Sequence, residues 1–119
     1  MSVIPVLLAS EGSAFSAVAV PPASNTSTAT SSKTIGTITA VPSDGVGPYT
    51  YAWAKTVDPF NATATITSPS AAGTTISVTG IASGDRVVGE ITCTVTDTSS
   101  GATAEAVATF DVQHTGIPA

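Results

Sequence analysis

The residues from which a catalytic centre would have to be built are few. The sequence holds one histidine, His114, and one cysteine, Cys93. Any Ser-His-Asp arrangement must use His114, and such a base works only when it is held within reach of a nucleophile and oriented by a third group. His114 follows the last strand-like run and is expected in a short frayed tail, residues 114–119, as a solvated side chain. Cys93 alternates with Ile91 and Val95, which predicts an inward position where a free thiol behaves as a small hydrophobe. An intermolecular disulfide is the alternative for it. Asp44, Asp58, Asp85 and Asp97 fall in predicted turns. Calcium would bind where several converge, because the ion takes about six to eight oxygens. No D-x-D-x-D-G loop is present, and aspartate also favours turns through local hydrogen bonds alone. Trp53, Tyr49 and Tyr51 are the aromatic groups on which a sugar could stack, with Tyr49 near a strand start and expected to be the more exposed. Asn25-Thr26-Ser27 and Asn61-Ala62-Thr63 match the glycosylation acceptor pattern, which a Thr- and Ser-rich chain produces by chance. The sequence has no Gly-rich phosphate loop and no metal-spaced His/Cys cluster. No cofactor is expected.

Composition narrows the class further. The chain has 119 residues, enough for one modest core. Charged residues make up only 9% of it, against about 25% in ordinary soluble domains. The surface must therefore be neutral, and Ser and Thr cover it, as in the stretch from Asn25 to Ser32. The cations are Lys33, Lys55 and Arg86, and the net charge is −5. Three scattered cations cannot neutralise a phosphate backbone or an anionic bilayer, so neither nucleic acid nor a membrane is an expected partner. One cysteine excludes an intramolecular disulfide. The start, Met1 to Ala9, is apolar but lacks a basic n-region and is broken by Pro5, so it reads as mature sequence. A chain of one domain's length opening on Met1 raises the expectation of a stand-alone subunit.

The elements that must position these residues read as short strands. Val, Ile and Thr favour a pleated, half-buried surface, and no stretch keeps helical apolar spacing. Residues 1–12 form an apolar arm containing Val3, Ile4, Val6, Leu7 and Leu8. Residues 13–113 carry strand-like runs separated by turn signals: Ala14 to Val20, Lys33 to Val41, Tyr49 to Lys55, Ala62 to Ile66, Thr74 to Val78, Val87 to Thr96 and Ala102 to Gln113. Parity places Ile91, Cys93 and Val95 on one face, and Ala104, Ala106, Ala108, Phe110 and Val112 on one face of the last strand. Trp53, Cys93, Ile38, Ile91, Val95 and Phe110 are the predicted core. The fold class is all-β: an antiparallel two-sheet sandwich of about seven strands.

Three stretches carry a family resemblance. Gly47-Pro48-Tyr49-Thr50-Tyr51-Ala52-Trp53 resembles the third-strand signature of PKD-type and related Ig-like domains. Ile91 to Asp97 resembles their penultimate strand, and Gly101 to Val112 their last. The similarity spans roughly Ser13 to Gln113. The acidic-Gly turn that usually follows the Trp is replaced by Ala54-Lys55-Thr56-Val57. Trp53 and Cys93 stand where an Ig core Trp and second Cys would, while the first Cys is missing and Ile91 replaces the tyrosine two residues before Cys93.

Domains resembling this one, rich in Thr, Ala and Gly, occur in tailed-bacteriophage virions as capsid decoration proteins or tail modules. The resemblance therefore implies a non-enzymatic virion protein, made in the host cytoplasm and carried on the capsid or tail surface. Its expected partners are other virion proteins, with a homo-oligomer as a further expectation and the arm residues Val3, Ile4, Val6, Leu7 and Leu8 as the contact. The alternative is a carbohydrate-binding or cell-surface adhesion module whose partner is a host-surface glycan. An exposed aromatic patch beside turn carboxylates would distinguish it.

Overall fold

Alternation of β-branched and small residues builds two four-stranded sheets, seen in a computed structural model that describes residues 15–115. The strands are β1 (Ser16–Val20), β2 (Ala23–Thr28), β3 (Lys33–Ser43), β4 (Tyr49–Val57), β5 (Thr63–Ile66), β6 (Gly73–Thr79), β7 (Arg86–Asp97) and β8 (Thr103–His114). One sheet has the order β1-β3-β6-β5 and the other β2-β8-β7-β4. This is the Ig-like sandwich predicted from the sequence.

The core lies between the sheets, where the inward sets of the long strands meet. Ile38, Trp53, Ile91, Cys93, Val95 and Phe110 are all buried there, with Ile35, Ile76, Val78 and Val87. Along β8 the buried positions are Ala106, Ala108, Phe110, Val112 and His114, and Glu105, Val107 and Thr109 face out. Gly89 stands opposite Phe110 in the β7–β8 ladder. A Cβ built on Gly89 would lie 2.3 Å from Phe110 Cζ, so the ring occupies the space that any other residue's side chain would need.

Three features differ from the sequence expectation. The sandwich has an eighth strand, β2, in the Ser/Thr stretch read only as surface cover. It pairs parallel to β8, Ala23 opposite Thr109 through Thr28 opposite His114, so the sheets are not wholly antiparallel. β1 ends at Val20, before Pro21-Pro22, as the sequence indicates, but the break is a change of sheet and not a surface loop. The chain switches sheets there, with Pro22 O accepting from Thr109 N at 3.0 Å. Finally, His114 is not in a flexible tail. It is the last residue of β8 and is buried, because the parallel pairing with β2 carries the strand beyond Gln113.

Candidate functional site

The predicted chemical groups are dispersed. His114 Nδ1 lies 2.9 Å from Ile81 O, and its backbone is tied to the β6–β7 loop by His114 N to Asp85 O at 2.9 Å and Gly84 N to His114 O at 3.0 Å. These bonds make it a clamp for that loop. Cys93 is fully buried opposite Trp53, and burial pushes its thiol pKa up, with a smaller opposing effect from a backbone bond involving Ala52. A thiol in that state is a poor nucleophile.

The four turn aspartates do not converge, and no three His, Cys, Asp or Glu side chains come together among the described residues. Asp97 has a structural use. Its carboxylate accepts from Val46 N at 2.9 Å, Gly47 N at 3.1 Å and Ser99 N at 3.0 Å, joining the β3–β4 turn to the β7–β8 turn. Those bonds, Val46 first, hold its pKa below the ordinary carboxylate value. Asp58 pairs with Lys55 at 3.4 Å. Asp111 receives the Arg86 guanidinium through both carboxylate oxygens and thereby raises the arginine's pKa.

The aromatic groups are mostly used internally. Tyr49 is half-buried and stacks on Phe15 with ring centroids 5.9 Å apart. Trp53 is buried and donates its indole N–H to Ala71 O at 2.9 Å. Phe60 is the exception: it is 98% exposed in the β4–β5 loop, between Asp58 and Asn61, and sequence reasoning did not single it out.

The more informative geometry lies along the two sides of the sandwich. On one side the β5–β6 loop crosses to the other sheet. Pro69 O accepts from Trp53 N at 2.8 Å, Ala71 O from the indole, and Ala72 O from Ala40 N at 2.9 Å. Ser68 N is held by Thr74 Oγ1 at 2.9 Å, and Lys55 Nζ reaches Ala64 O at 2.8 Å. The edge of β4 is thus covered. On the other side β1 pairs with β3 only from Thr39 to Ser43 and leaves Lys33 to Ile38 with β6 alone. The edge strand β2 pairs with β8 alone. Between them runs an open groove of about 460 Å³, lined by Ser24, Thr26, Lys33, Thr34, Gly36 and Thr37 among others.

The arm residues Val3, Ile4, Val6, Leu7 and Leu8, proposed from the sequence as the contact, lie outside the described residues.

No family model and no curated protein matches the chain. Among solved structures, the PKD domain (329–428) of human KIAA0319 is similar, with a TM-score of 0.60 over 88% of this chain and 87% of that one. At 13% identity the likeness shows the fold: this is a PKD-like, Ig-like sandwich. A nucleoside hydrolase-related hypothetical protein from Saccharophagus degradans, associated with carbohydrate metabolism, matches over 76% of this chain and 21% of that one, at 18% identity. The TM-score of that match is 0.49.

Proposed function

We propose that this PKD-like domain is a non-enzymatic structural subunit of a tailed-bacteriophage virion, a capsid decoration or auxiliary protein that docks by protein–protein contacts. The observation that carries the reading is a division of labour along the chain. The described sandwich spends its hydrogen-bonding and titratable groups on internal ties, as at His114, Asp97 and Trp53. Its outward strand positions are largely small and neutral. The densest run of large aliphatic residues, Val3 to Leu8, precedes the domain. A segment of that kind is suited to pairing with a sheet edge, where main-chain bonds give affinity and alternate side chains give register. The resemblance to virion Ig-like domains supplies the class of assembly. The test is co-sedimentation of the purified chain with candidate capsids, beside light scattering of the chain alone. Saturable binding to particles is expected, and a chain that ignores every capsid and tail assembly tried overturns the reading.

A second reading, a glycan-binding surface module, draws on Phe60. Its ring is solvated, Asp58 and Asn61 are close to it in the sequence, and Asn61 Nδ2 donates to Arg86 O at 3.0 Å. A glycan array with Phe60→Ala as control tests it, and signal lost in that variant would favour this reading.

A further inference from the structure

We propose that Asp44-Gly45, in the β3–β4 turn, is a self-modification site: the Gly45 amide closes on the Asp44 carboxyl, and the isoaspartate that results releases the turn from Asp97. The inference does not depend on the virion reading.

The chain has five aspartates, Asp44, Asp58, Asp85, Asp97 and Asp111, and the fold opens one of them to this chemistry. The reaction joins the backbone nitrogen of the following residue to the side-chain carbonyl carbon. That nitrogen must carry a hydrogen and be uncrowded. Asp58 precedes Pro59, which has no N–H. Asp85 and Asp111 precede Arg86 and Val112, which bear side chains and lie in the β7–β8 ladder, and Asp111 is also held by the Arg86 guanidinium. Asp97 precedes Thr98, whose N–H donates to Pro48 O at 3.0 Å, and three amides hold its own carboxylate. Asp44 differs on each count. It is exposed, and among the described residues neither its carboxylate nor the Gly45 N–H makes a hydrogen bond. Glycine follows it and puts no Cβ beside the attacking nitrogen.

The turn itself calls for this pair. A Cβ on Gly45 would lie 2.9 Å from Asp97 Oδ2 and 2.9 Å from Cδ1 and Cε1 of Phe15, so packing and the Asp97 tie both exclude a side chain there. Asp44 has a φ of 64°, in the left-handed region. That conformation strains a residue with a Cβ, and aspartate enters it more readily than most. The reactive dipeptide is therefore built in by the contacts of its own turn.

The step needs no oxidant and no co-reactant but water. A bond forms between Gly45 N and Asp44 Cγ, a Cγ–O bond breaks, and the amide hydrogen leaves with the carboxyl oxygen as water. The product is a cyclic imide. Water then adds to either carbonyl. Attack at Cγ restores aspartate. Attack at the main-chain carbonyl breaks its bond to Gly45 N, so the chain runs on through Cβ and Cγ and the old main-chain carbonyl becomes the free carboxylate. The backbone is longer by one carbon immediately before Gly45, Val46 and Gly47. The amides of Val46 and Gly47 are the ones that Asp97 holds, at 2.9 and 3.1 Å. The added carbon moves them out of that register and Gly45 away from Phe15.

The test ages the full chain at neutral pH in water labelled with heavy oxygen, beside a short peptide of residues 43–48 that sets the time course. Fragmentation mass spectrometry should find isoaspartate and the label at Asp44 and at no other aspartate. Asp44→Asn should convert severalfold faster and release ammonia, since ammonia is the better leaving group and asparagine suits the same φ. Asp44→Glu should not convert, because its ring would need a sixth member. In the separated isomerised chain, the Val46 and Gly47 amides should exchange faster and Tm should fall by a few degrees, while aged Asp44→Glu keeps its own starting values. A folded chain without isoaspartate at Asp44 after the peptide has converted would overturn the proposal, as would equal conversion at the other aspartates. An isomerised chain whose Val46 and Gly47 amides stay as protected as before would overturn the release from Asp97.

Discussion

Along one side of the sandwich the β5–β6 loop lies over the edge of β4 and is fastened by the backbone and indole N–H groups of Trp53. Along the other, no hydrogen bond passes between β2 and β3 beyond those at their connecting turn, among the described residues. Both sides face the same problem, the unpaired backbone of an edge strand. The covered side solves it with a large aromatic anchor, so its covering and its core are one structure. The open side is lined mostly by small and polar residues, Ser24, Thr26, Thr34, Gly36 and Thr37 among them, and a groove remains there. A fold closed on both sides would offer a partner only its faces. Folding closes one side, and on the other it leaves β3 from Lys33 to Ile38 paired with β6 alone.

The largest expected effect comes from breaking the covered side. Trp53→Ala removes a buried ring and both of its roles, and should cost about 3–5 kcal/mol in denaturant unfolding. Cys93 stands opposite Trp53 and is inert when buried, so its reaction with a thiol reagent should accelerate in the variant. Stability within 1 kcal/mol of the wild type would show that the loop, and not the indole, seals the edge. Trp53→Phe keeps most of the ring and loses the bond to Ala71 O, so about 1 kcal/mol is expected of that variant beyond its change in shape.

Half of this comparison was legible in the sequence. Trp53 and the alternation around Cys93 and Phe110 marked the core, because apolar and polar residues contrast sharply at period two in β7 and β8. β2 left no such mark. Its half-buried positions Ser24, Thr26 and Thr28 are as polar as their exposed neighbours, so parity carries no signal there. Pro21-Pro22 reads as a strand end, and nothing local distinguishes an end from a change of sheet. His114 was misplaced for the same reason: β8 continues only because β2 lies beside it. The loop over β4 depends on a bond between Trp53 and Ala71 that no spacing announces, and the open groove exists only once both sheets are placed.

A smaller effect is expected from loosening the same loop. Thr74 is buried and its hydroxyl accepts from Ser68 N. Thr74→Val keeps the volume but strands that amide, and should cost about 1–3 kcal/mol. Protease sensitivity should rise between Thr67 and Gly73 and nowhere else. Uniform sensitivity would show that the loop unfolds only with the domain.

At the start of β4, Asp97 provides a pH-dependent tie. Its folded pKa is lowered, mainly by the Val46 N–H, so it adds stability above the unfolded-state value of about 3.9 and loses it as pH falls through the folded value. Stability should be flat in this respect through neutrality and decline below about pH 4. Asp97→Asn should be less stable at pH 7 and should show a shallower acid decline. An unchanged acid slope would remove Asp97 as the source.

The smallest effect is expected on the open side, and it is the most discriminating. Thr26→Ala and Gly36→Leu alter groove residues that anchor neither sheet. Each should change the stability of the isolated chain by no more than about 0.5 kcal/mol, as surface substitutions usually do. Backbone exchange should show the same asymmetry. The Trp53 amide, held by Pro69 O, should exchange only with the opening of the β4 edge, while groove-facing amides between Lys33 and Ile38 should exchange quickly in dilute solution. Groove amides that are already protected in dilute monomer would mean that this side, too, is closed within the chain.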